Sequence, residues 1–399
     1  MRPPADALAG RPRLSLTDLP RRAALTALRL ERELPGMLAR AGAWHAEDGG
    51  TRPRAGNGPG TASPARRARL LLAVSGGADS TALACLLALL RPRLGLELHA
   101  LTCDHGLRQE AAGEAAFAAE LCAWLAIPCA SAVLDVRREA RHTGMGLEEA
   151  ARALRYAALE RERARTGCDL VLTAHHAGDL AEDMLMRLAR GTGWPALGGM
   201  TAHDPSRRLL RPLLDTDPRL LRQFLKEARV PWCEDESNAD ARFTRNRVRH
   251  RLLPALEAEN PQARRALLRL ARQARLDAAY FEAELERALT AVPWVELDKD
   301  GRALAGAPSA ASATGAMTET AAIRLPGRLL RGLAPALRAR LILRAVRAIA
   351  AGGGQARGEA LEGLLDALEH GGRPRTFQMS GGIEAVYARG TVTVRRARG

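Results

Sequence analysis

The chain has 399 residues, with 60 Lys and Arg against 45 Asp and Glu, a formal net charge of +15, and 47% hydrophobic but only 3% aromatic residues. This length allows two or three domains with cores built from Leu, Ala and Val. The basic balance points to a polyanionic partner, nucleic acid first, while so few aromatics argue against recognition by a stacking platform. Cys85, Cys103, Cys122, Cys129, Cys168 and Cys233 form no CxxC pair, which argues against a zinc ribbon or a redox pair. Most of them sit in apolar contexts and read as small core residues. No apolar leader and no uncharged run of membrane-spanning length stands in the sequence, so a cytoplasmic protein without membrane contact is expected.

Residues 1–68 show helical periodicity over Leu19–Leu34, then a Gly-, Pro-, Ser- and Arg-rich stretch, 46–67, that reads as a disordered linker. The whole segment is expected to be an extension outside the catalytic fold. From 69 onward strands and helices alternate. Strands are expected at 70–75, 96–103, 129–135 and 169–174, and helices at 79–91, 110–126, 147–165 and 178–190. Such alternation predicts an α/β fold, a doubly wound parallel sheet covered on both faces, with ligands beyond the carboxyl ends of the strands. A helix over 217–230, an acidic turn at Glu234–Asn238 and a long helix over 261–291 follow. An Ala/Gly/Ser/Thr-rich stretch then leads to helices near 333–350 and 357–369 and a hairpin within 376–396. The expected organisation is an extension, partly disordered (1–68), an α/β domain (69–230), a basic helical segment (231–295), a linker (296–323) and a small α+β domain (324–399). No internal repeat is visible.

The first chemistry-bearing stretch follows the apolar run Leu70–Val74. It reads Ser75, Gly76, Gly77, Ala78, Asp79, Ser80 and opens an almost wholly apolar helix. Strand, Gly-rich turn and helix together make an anion site, because the glycines let the chain fold tightly and the helix offers free N–H groups and its dipole. An acid beside bound phosphate is repelled unless a cation lies between, so Asp79 implies Mg2+. The bland alternative is a turn that only joins two elements. The spacing fits neither GxxxxGK[ST] nor GxGxxG. It resembles instead the SGGxDS loop of the PP-loop ATP pyrophosphatases, which adenylate a substrate oxygen and release pyrophosphate.

Three further groups fall at strand ends or on the helices that follow. Ala174-His-His-Ala-Gly-Asp-Leu-Ala-Glu182 places Asp179 and Glu182 on one helical face, where two carboxylates can hold a cation or a substrate ammonium. The competing reading is a helix start with favourable acids. His175 and His176 raise a metal site, but no third ligand stands at diagnostic spacing. Thr102-Cys-Asp-His-Gly-Leu-Arg108 is a polar loop after the second strand. Arg152 and Arg155, three apart, face phosphate or solvent. Later, Arg242, Arg245, Arg247, Arg249 and Arg251 lie within ten residues without an acid, a pattern that suits a phosphate backbone or a solvated face.

Together these stretches resemble the tRNA(Ile)-lysidine synthetase family. The matching pieces are SGGADS (75–80), DHGLR (104–108), Arg152 with Arg155-Tyr156, AHHAGDLAEDMLMRLARGTG (174–193), Arg211-Pro-Leu-Leu214 and SNADARFTRNRVRHRLLP (237–254). The resemblance covers about 69–260 and continues more weakly into 324–396. Departures are Gly178 where the family usually has the first of two acids, Asp183 where it usually has Thr, the N-terminal extension, and a shorter C-terminal part.

The resemblance implies a PP-loop, adenine nucleotide alpha hydrolase-like fold and an ATP- and Mg2+-dependent ligase. It would join free lysine to C2 of the wobble cytidine in the CAU anticodon of tRNA(Ile), through an adenylated tRNA. Ser75, Gly76, Gly77, Ala78, Asp79 and Ser80 would hold ATP, with Mg2+ at Asp79. Asp79, Arg152, Asp179 and Glu182 would be catalytic, the acid pair holding lysine. His105, Arg108, Arg245, Asn246 and Arg249 would contact the tRNA, with Arg245 also a candidate for charge stabilisation. A homodimer is an allowed assembly. The alternatives are a PP-loop tRNA thiolase of the 2-thiocytidine type, which usually needs paired cysteines, and a non-catalytic nucleic-acid-binding protein.

Overall fold

The computed structural model describes residues 3, 7–44, 68–106, 111–234, 244–304, 320–350, 358–371, 373–379 and 381–397. The linker 46–67, Arg108, most of the acidic turn and basic stretch at 235–243, and the interior of the linker 296–323 lie outside them. The chain divides into two compact units, Met1–Ala274 and Arg275–Gly399.

In the first unit β1 (Ala68–Ala73), β2 (Leu96–Asp104), β3 (Cys129–Val133) and β4 (Leu170–Leu172) run parallel, in the order β3-β2-β1-β4. Two short strands extend the edge: β6 (Leu209–Leu210), parallel to β4, and β5 (His203–Asp204), antiparallel to β6. Successive strand residues point to opposite faces. Leu70 and Leu72 therefore enter the core on one side of the sheet, and Leu71 the core on the other. A strand buried on both faces needs a continuous apolar run, which is what 70–74 supplies. Chain order reverses between β1 and β4, so the crevice beyond their carboxyl ends is the expected place for a ligand.

The helix after β1, α2 (Ala78–Leu94), is apolar on nearly every side and so must be covered all round. Phe117 and Leu121 of α3 (Ala111–Trp124) cover part of it, and Leu221, Phe224 and Leu225 of α7 (Pro218–Glu227) another part. The remainder falls to α1 (Arg21–Arg40), whose Leu30, Leu34 and Leu38 are buried in the same core. The expectation that residues 1–68 stand outside the catalytic fold is thus corrected for α1. Its Leu30-Leu34-Leu38 stripe closes a face that α2 would otherwise expose. The Ala23 N–H also donates to Glu227 Oε2 at 3.0 Å, and Arg93 Nε pairs with Glu31 Oε1 at 2.7 Å.

On the other face of the sheet lie α4 (Val136–Thr143), which the periodicity did not reveal, and α5 (Leu147–Thr166). After β4 comes α6 (Ala177–Ala189). The basic segment forms α8 (Thr244–Arg247), a π-helical turn (Val248–Leu252) and α9 (Leu253–Glu259), followed by the long α10 (Ala263–Ala291). Val248 and Leu253 are buried against Ala181 and Leu185 of α6, which seats the basic segment beside that helix.

The second unit holds a five-stranded antiparallel sheet in the order β7-β8-β11-β10-β9. Its members are β7 (Val295–Leu297), β8 (Ala322–Leu325), β9 (Arg375–Gln378), β10 (Ile383–Ala388) and β11 (Thr391–Arg396). Three helices accompany it: α11 (Gly327–Gly332), α12 (Pro335–Ile349) and α13 (Gly358–His370). The expected hairpin is β10–β11, turning through Arg389 and Gly390, both with positive φ, as a two-residue hairpin turn requires.

Candidate active site

The loop between β1 and α2 is held in shape by its own groups. Gly76 has φ +80°, and a Cβ there would lie 3.1 Å from the Glu114 carbonyl oxygen and 3.2 Å from the Phe117 ring, so glycine is required. The Gly76 carbonyl accepts from Cys233 N at 2.9 Å and from Thr81 Oγ1 at 3.2 Å. Ser80 Oγ accepts from Ser75 N at 3.2 Å and donates to the Gly77 carbonyl at 3.1 Å. That hydroxyl closes the loop rather than standing free as a ligand donor, the role expected of it. The N-cap of α2 is Gly77, with no side-chain cap bond, so the first N–H groups of a long buried helix open toward the cavity.

The second helix start is built differently. His176 is the N-cap of α6, and its Nδ1 accepts from the N–H groups of Gly178 at 3.0 Å and Asp179 at 3.3 Å. In return the Asp179 Oδ2 accepts from His176 N at 2.9 Å, completing a capping box. The His176 Nε2 lies 3.3 Å from Asp79 Oδ2, which joins the two helix starts. The other oxygen of that carboxylate, Asp79 Oδ1, is buried without a partner. Burial opposes charge on the His176 ring, but Asp79, Asp179 and Glu182 outweigh it and raise its pKa. The two N–H groups aimed at Nδ1 favour the neutral ring, and the cap geometry is that of the neutral form.

Asp179 and Glu182, 9% and 2% exposed, are not waiting for a partner. Arg245 Nη2 bonds Asp179 Oδ1 at 2.7 Å and its Nε bonds Glu182 Oε2 at 2.8 Å. Arg249 Nε bonds Glu182 Oε1 at 2.6 Å, with Nη2 3.5 Å from Asp179 Oδ1. Two carboxylates this buried would be costly unpaired. Burial works against the charge of Asp179, but His176, Arg245 and His175 hold its carboxyl below the usual carboxylate range. Arg245 is therefore tied to protein acids in this state, not free for tRNA phosphate as expected. Asn246 is buried beside it.

These groups line one cavity of about 590 Å³. Of the expected site residues, Ser75, Gly77, Ala78, Asp79, Ser80, His105, Asp179, Glu182, Arg245, Asn246 and Arg249 line it, whereas Gly76 lies beneath the loop. Arg152 does not line it. Its guanidinium stands over the Tyr156 ring at 5.1 Å and the residue is exposed. Arg155, one turn on, enters the cavity instead, and among the described residues no carboxylate pairs with it. Burial lowers its pKa without discharging it. Which of two arginines three apart faces inward depends on the sheet beneath them, a fact that spacing does not carry.

Among the described residues no group of three His, Cys, Asp or Glu, the histidine pair included, is placed to hold an ion. His175 Nδ1 is 2.8 Å from Thr173 Oγ1, and burial pushes its pKa down to about 3. Gly178 has a neighbour that the sequence did not suggest. A Cβ there would meet His176 Cε1 at 2.9 Å and Arg264 Nη1 at 3.2 Å. Arg264, anchored to Glu257 through Nε at 2.9 Å, also lines the cavity, so a cation stands beside the position where an acid is usual. Asp183 holds the turn after α6, accepting from Met200 N at 2.9 Å and Arg187 Nε at 3.0 Å. Among the described residues no helix is long and apolar enough to cross a membrane.

Comparison with known proteins agrees with this architecture. Residues 59–256 match the model of a family described as a PP-loop domain. A tRNA(Ile)-lysidine synthase of Nitratidesulfovibrio vulgaris is 44% identical over 331 residues, covering 83% of this chain and 91% of that protein. The enzyme of the same name from an Azoarcus species is 42% identical over 207 residues, 51% of this chain but only 45% of its own length. Among solved structures, a U34-tRNA thiolase from Methanococcus maripaludis superposes with a TM-score of 0.46 at 15% identity over 62% of this chain and 78% of that one, too loosely to build on. On the strength of the first relative, which is matched along nearly its whole length, the chain belongs to the tRNA(Ile)-lysidine synthase family.

Proposed function

We propose that this chain is a cytoplasmic ATP-dependent ligase that joins free lysine to C2 of the wobble cytidine in the CAU anticodon of tRNA(Ile). The observation that carries this reading is the pairing of two structures in one cavity: an open phosphate loop and a buried acid pair, both at the switch point of the sheet. Family membership supplies the reaction.

Cytosine O2 is a poor leaving group. In the first step it attacks the α-phosphorus of ATP, forming a phosphate ester of the base and expelling pyrophosphate. The N–H groups of Ala78, Asp79 and Ser80 suit the departing pyrophosphate. Arg155, half-buried at the cavity wall and unpaired with any acid among the described residues, suits the charge that builds on the transferred group. Mg2+ fits at Asp79, because Oδ1 is a buried carboxylate oxygen without a partner. Such an ion would offset the charge of the phosphates. In the second step the lysine ε-amine attacks C2, AMP leaves with the former O2, and the amine releases a proton. Asp179, held strongly anionic, is suited to bind and orient the ammonium rather than to take its proton. The lysine must share this carboxylate with Arg245 or displace it.

A thiolase reading is weakened by Cys103, which lines the cavity but whose thiol burial pushes up, away from the thiolate that sulfur chemistry uses. The deciding experiment is incubation of the protein with tRNA(Ile) transcript, ATP and labelled lysine. Lysine incorporated into tRNA in step with AMP release is expected. AMP formation on that tRNA without lysine transfer would overturn the reading.

A further inference from the structure

We propose that His176 is a positioning residue for Asp79. It is a strut between the two helix starts that aims the loop carboxylate and keeps the N-terminus of α2 open. The inference rests on the reading of Ser75–Ser80 as the nucleotide loop, and it concerns a side chain to which neither the sequence motifs nor the mechanism gave a role.

The geometry decides the tautomer. His176 is 6% exposed, and its Nδ1 receives two N–H groups, from Gly178 at 3.0 Å and Asp179 at 3.3 Å. A nitrogen that accepts carries no proton, so in the neutral ring the proton is on Nε2. Nε2, the protonated nitrogen, faces Asp79 Oδ2 at 3.3 Å, an ion-pair distance. The ring thus uses both nitrogens, one toward α6 and one toward α2, beyond the carboxyl ends of the neighbouring strands β1 and β4.

What this does to Asp79 follows from its position. Asp79 is the second residue of a helix whose N-cap, Gly77, has no side chain to offer. An acid in the first turn of an uncapped helix tends to fold back on the free N–H groups beside it. Here such a self-cap would occupy the donors that an incoming phosphate needs. The contact with His176 holds the carboxylate away from them, at the cavity wall, and leaves Oδ1 buried and without a partner.

Two substitutions separate the duties of the ring. In His176→Asn the amide oxygen lies near the place of Nδ1 and can cap α6, but the side chain is too short to reach Asp79. In His176→Gln the amide reaches the place of Nε2 and can donate to Asp79, while nothing stands at Nδ1. The expected result for His176→Asn is a melting temperature near that of the parent with adenylation of tRNA slowed about tenfold to a hundredfold, the effect of one charge-assisted bond. The loss should fall on the rate of adenylation and not on the KM for lysine. His176→Gln should melt lower yet adenylate several-fold faster than the Asn variant. If adenylation follows melting temperature across both variants, or if His176→Asn adenylates at the parent rate, His176 is a helix cap only and the proposal fails.

A second measurement does not need activity. Nitrogen NMR of the His176 ring in the full chain at mildly alkaline pH should show an unprotonated Nδ1 and a protonated Nε2. The opposite tautomer overturns the strut whatever the enzyme does. The expected tautomer in a protein that adenylates no tRNA would instead count against the functional reading alone.

Discussion

Two helices bring their N-termini to the same cavity, and the chain treats them in opposite ways. The start of α2 is left bare: Gly77 caps nothing and the first N–H groups face the opening. The start of α6 is sealed by the His176 ring and the Asp179 carboxylate, and its next acid, Glu182, is bound by Arg245 and Arg249. Strand, turn and helix are common to both. The difference lies in what stands at the cap, glycine or a bonded side chain, and it divides the cavity into an anion-accepting end and an acid-bearing end. One local motif thus serves phosphate at one strand end and a cationic group at the next.

The comparison breaks most severely if α2 loses its support. A chain starting near Arg67 lacks α1, and with it the burial of Leu30, Leu34 and Leu38. At about 1.5–3 kcal/mol for each fully buried leucine, the loss is about 5 kcal/mol or more. A denaturant titration should show a much lower midpoint, with ATP use falling alongside. An unchanged midpoint would mean that α1 is an appendage after all. At the other helix, Arg245→Ala leaves Asp179 and Glu182 short of a partner, and breaking a buried pair from one side costs about 3–5 kcal/mol. Thermal melts of Arg245→Ala and of a double variant with Glu182→Gln should show the second change restoring part of the loss. Simple additivity would mean that the pairs contribute little.

Activity should divide along the same line. Asp79→Ala removes a carboxylate whose Oδ1 has no protein partner, so the fold should survive. Adenylation should nevertheless fall about a hundredfold or more, the scale of losing one preorganised electrostatic group. Near-normal AMP formation by the folded variant would remove Asp79 from the mechanism. Asp179→Asn should act elsewhere, weakening apparent lysine affinity about tenfold to a hundredfold, the equivalent of about 1.5–3 kcal/mol, while adenylation is better preserved. Because Gly178 carries no second acid and Arg264 stands beside it, the chain has little to replace Asp179. Separate assays of adenylated tRNA and of lysine incorporation decide the matter. Equal loss in both would move the acid pair to the nucleotide.

The bare end of the cavity was legible in the sequence because its signals are local. Leu70–Val74, the Gly-Gly turn and the apolar helix are contiguous, and each fixes its own conformation. The acid pair was legible for the same reason, since residues three apart on a helix share a face. What surrounds the acids was not. Arg245 and Glu182 meet across 63 positions of sequence, and no periodicity links them. The same basic run that suggested phosphate contact supplies the counter-ions of the acids. The cap at His176 carries no sequence signal, because Ser, Thr, Asp and Asn, not His, are the usual caps. The role of α1 was hidden by the stretch that follows it, whose composition made the whole segment read as a tail. Strands of two residues, β5 and β6, are too short for an alternating pattern to show.

The smallest effect concerns the approach to α6 and appears only on acidification. His175 is bonded to Thr173 and half-buried, and its desolvation, with Arg211, Arg155 and Arg245 nearby, outweighs the attraction of Asp179 and lowers its pKa from 6.5 to about 3. Above pH 6.5 the ring is neutral in both the folded and unfolded chains, and its contribution to stability is complete. Below that value the unfolded chain takes up a proton that the folded chain refuses until about pH 3, so stability falls as pH falls through this window. The slope for one group approaches about 1.4 kcal/mol per pH unit, which is about 2 kcal/mol by pH 5. Other groups titrate in the same range, His176 with the opposite sign, because its raised pKa favours the fold on acidification. The difference between the parent and His175→Asn isolates the one ring. Unfolding free energies from pH 7.5 to 5 should decline less steeply in the variant, and identical slopes would place His175 in contact with water and its proton.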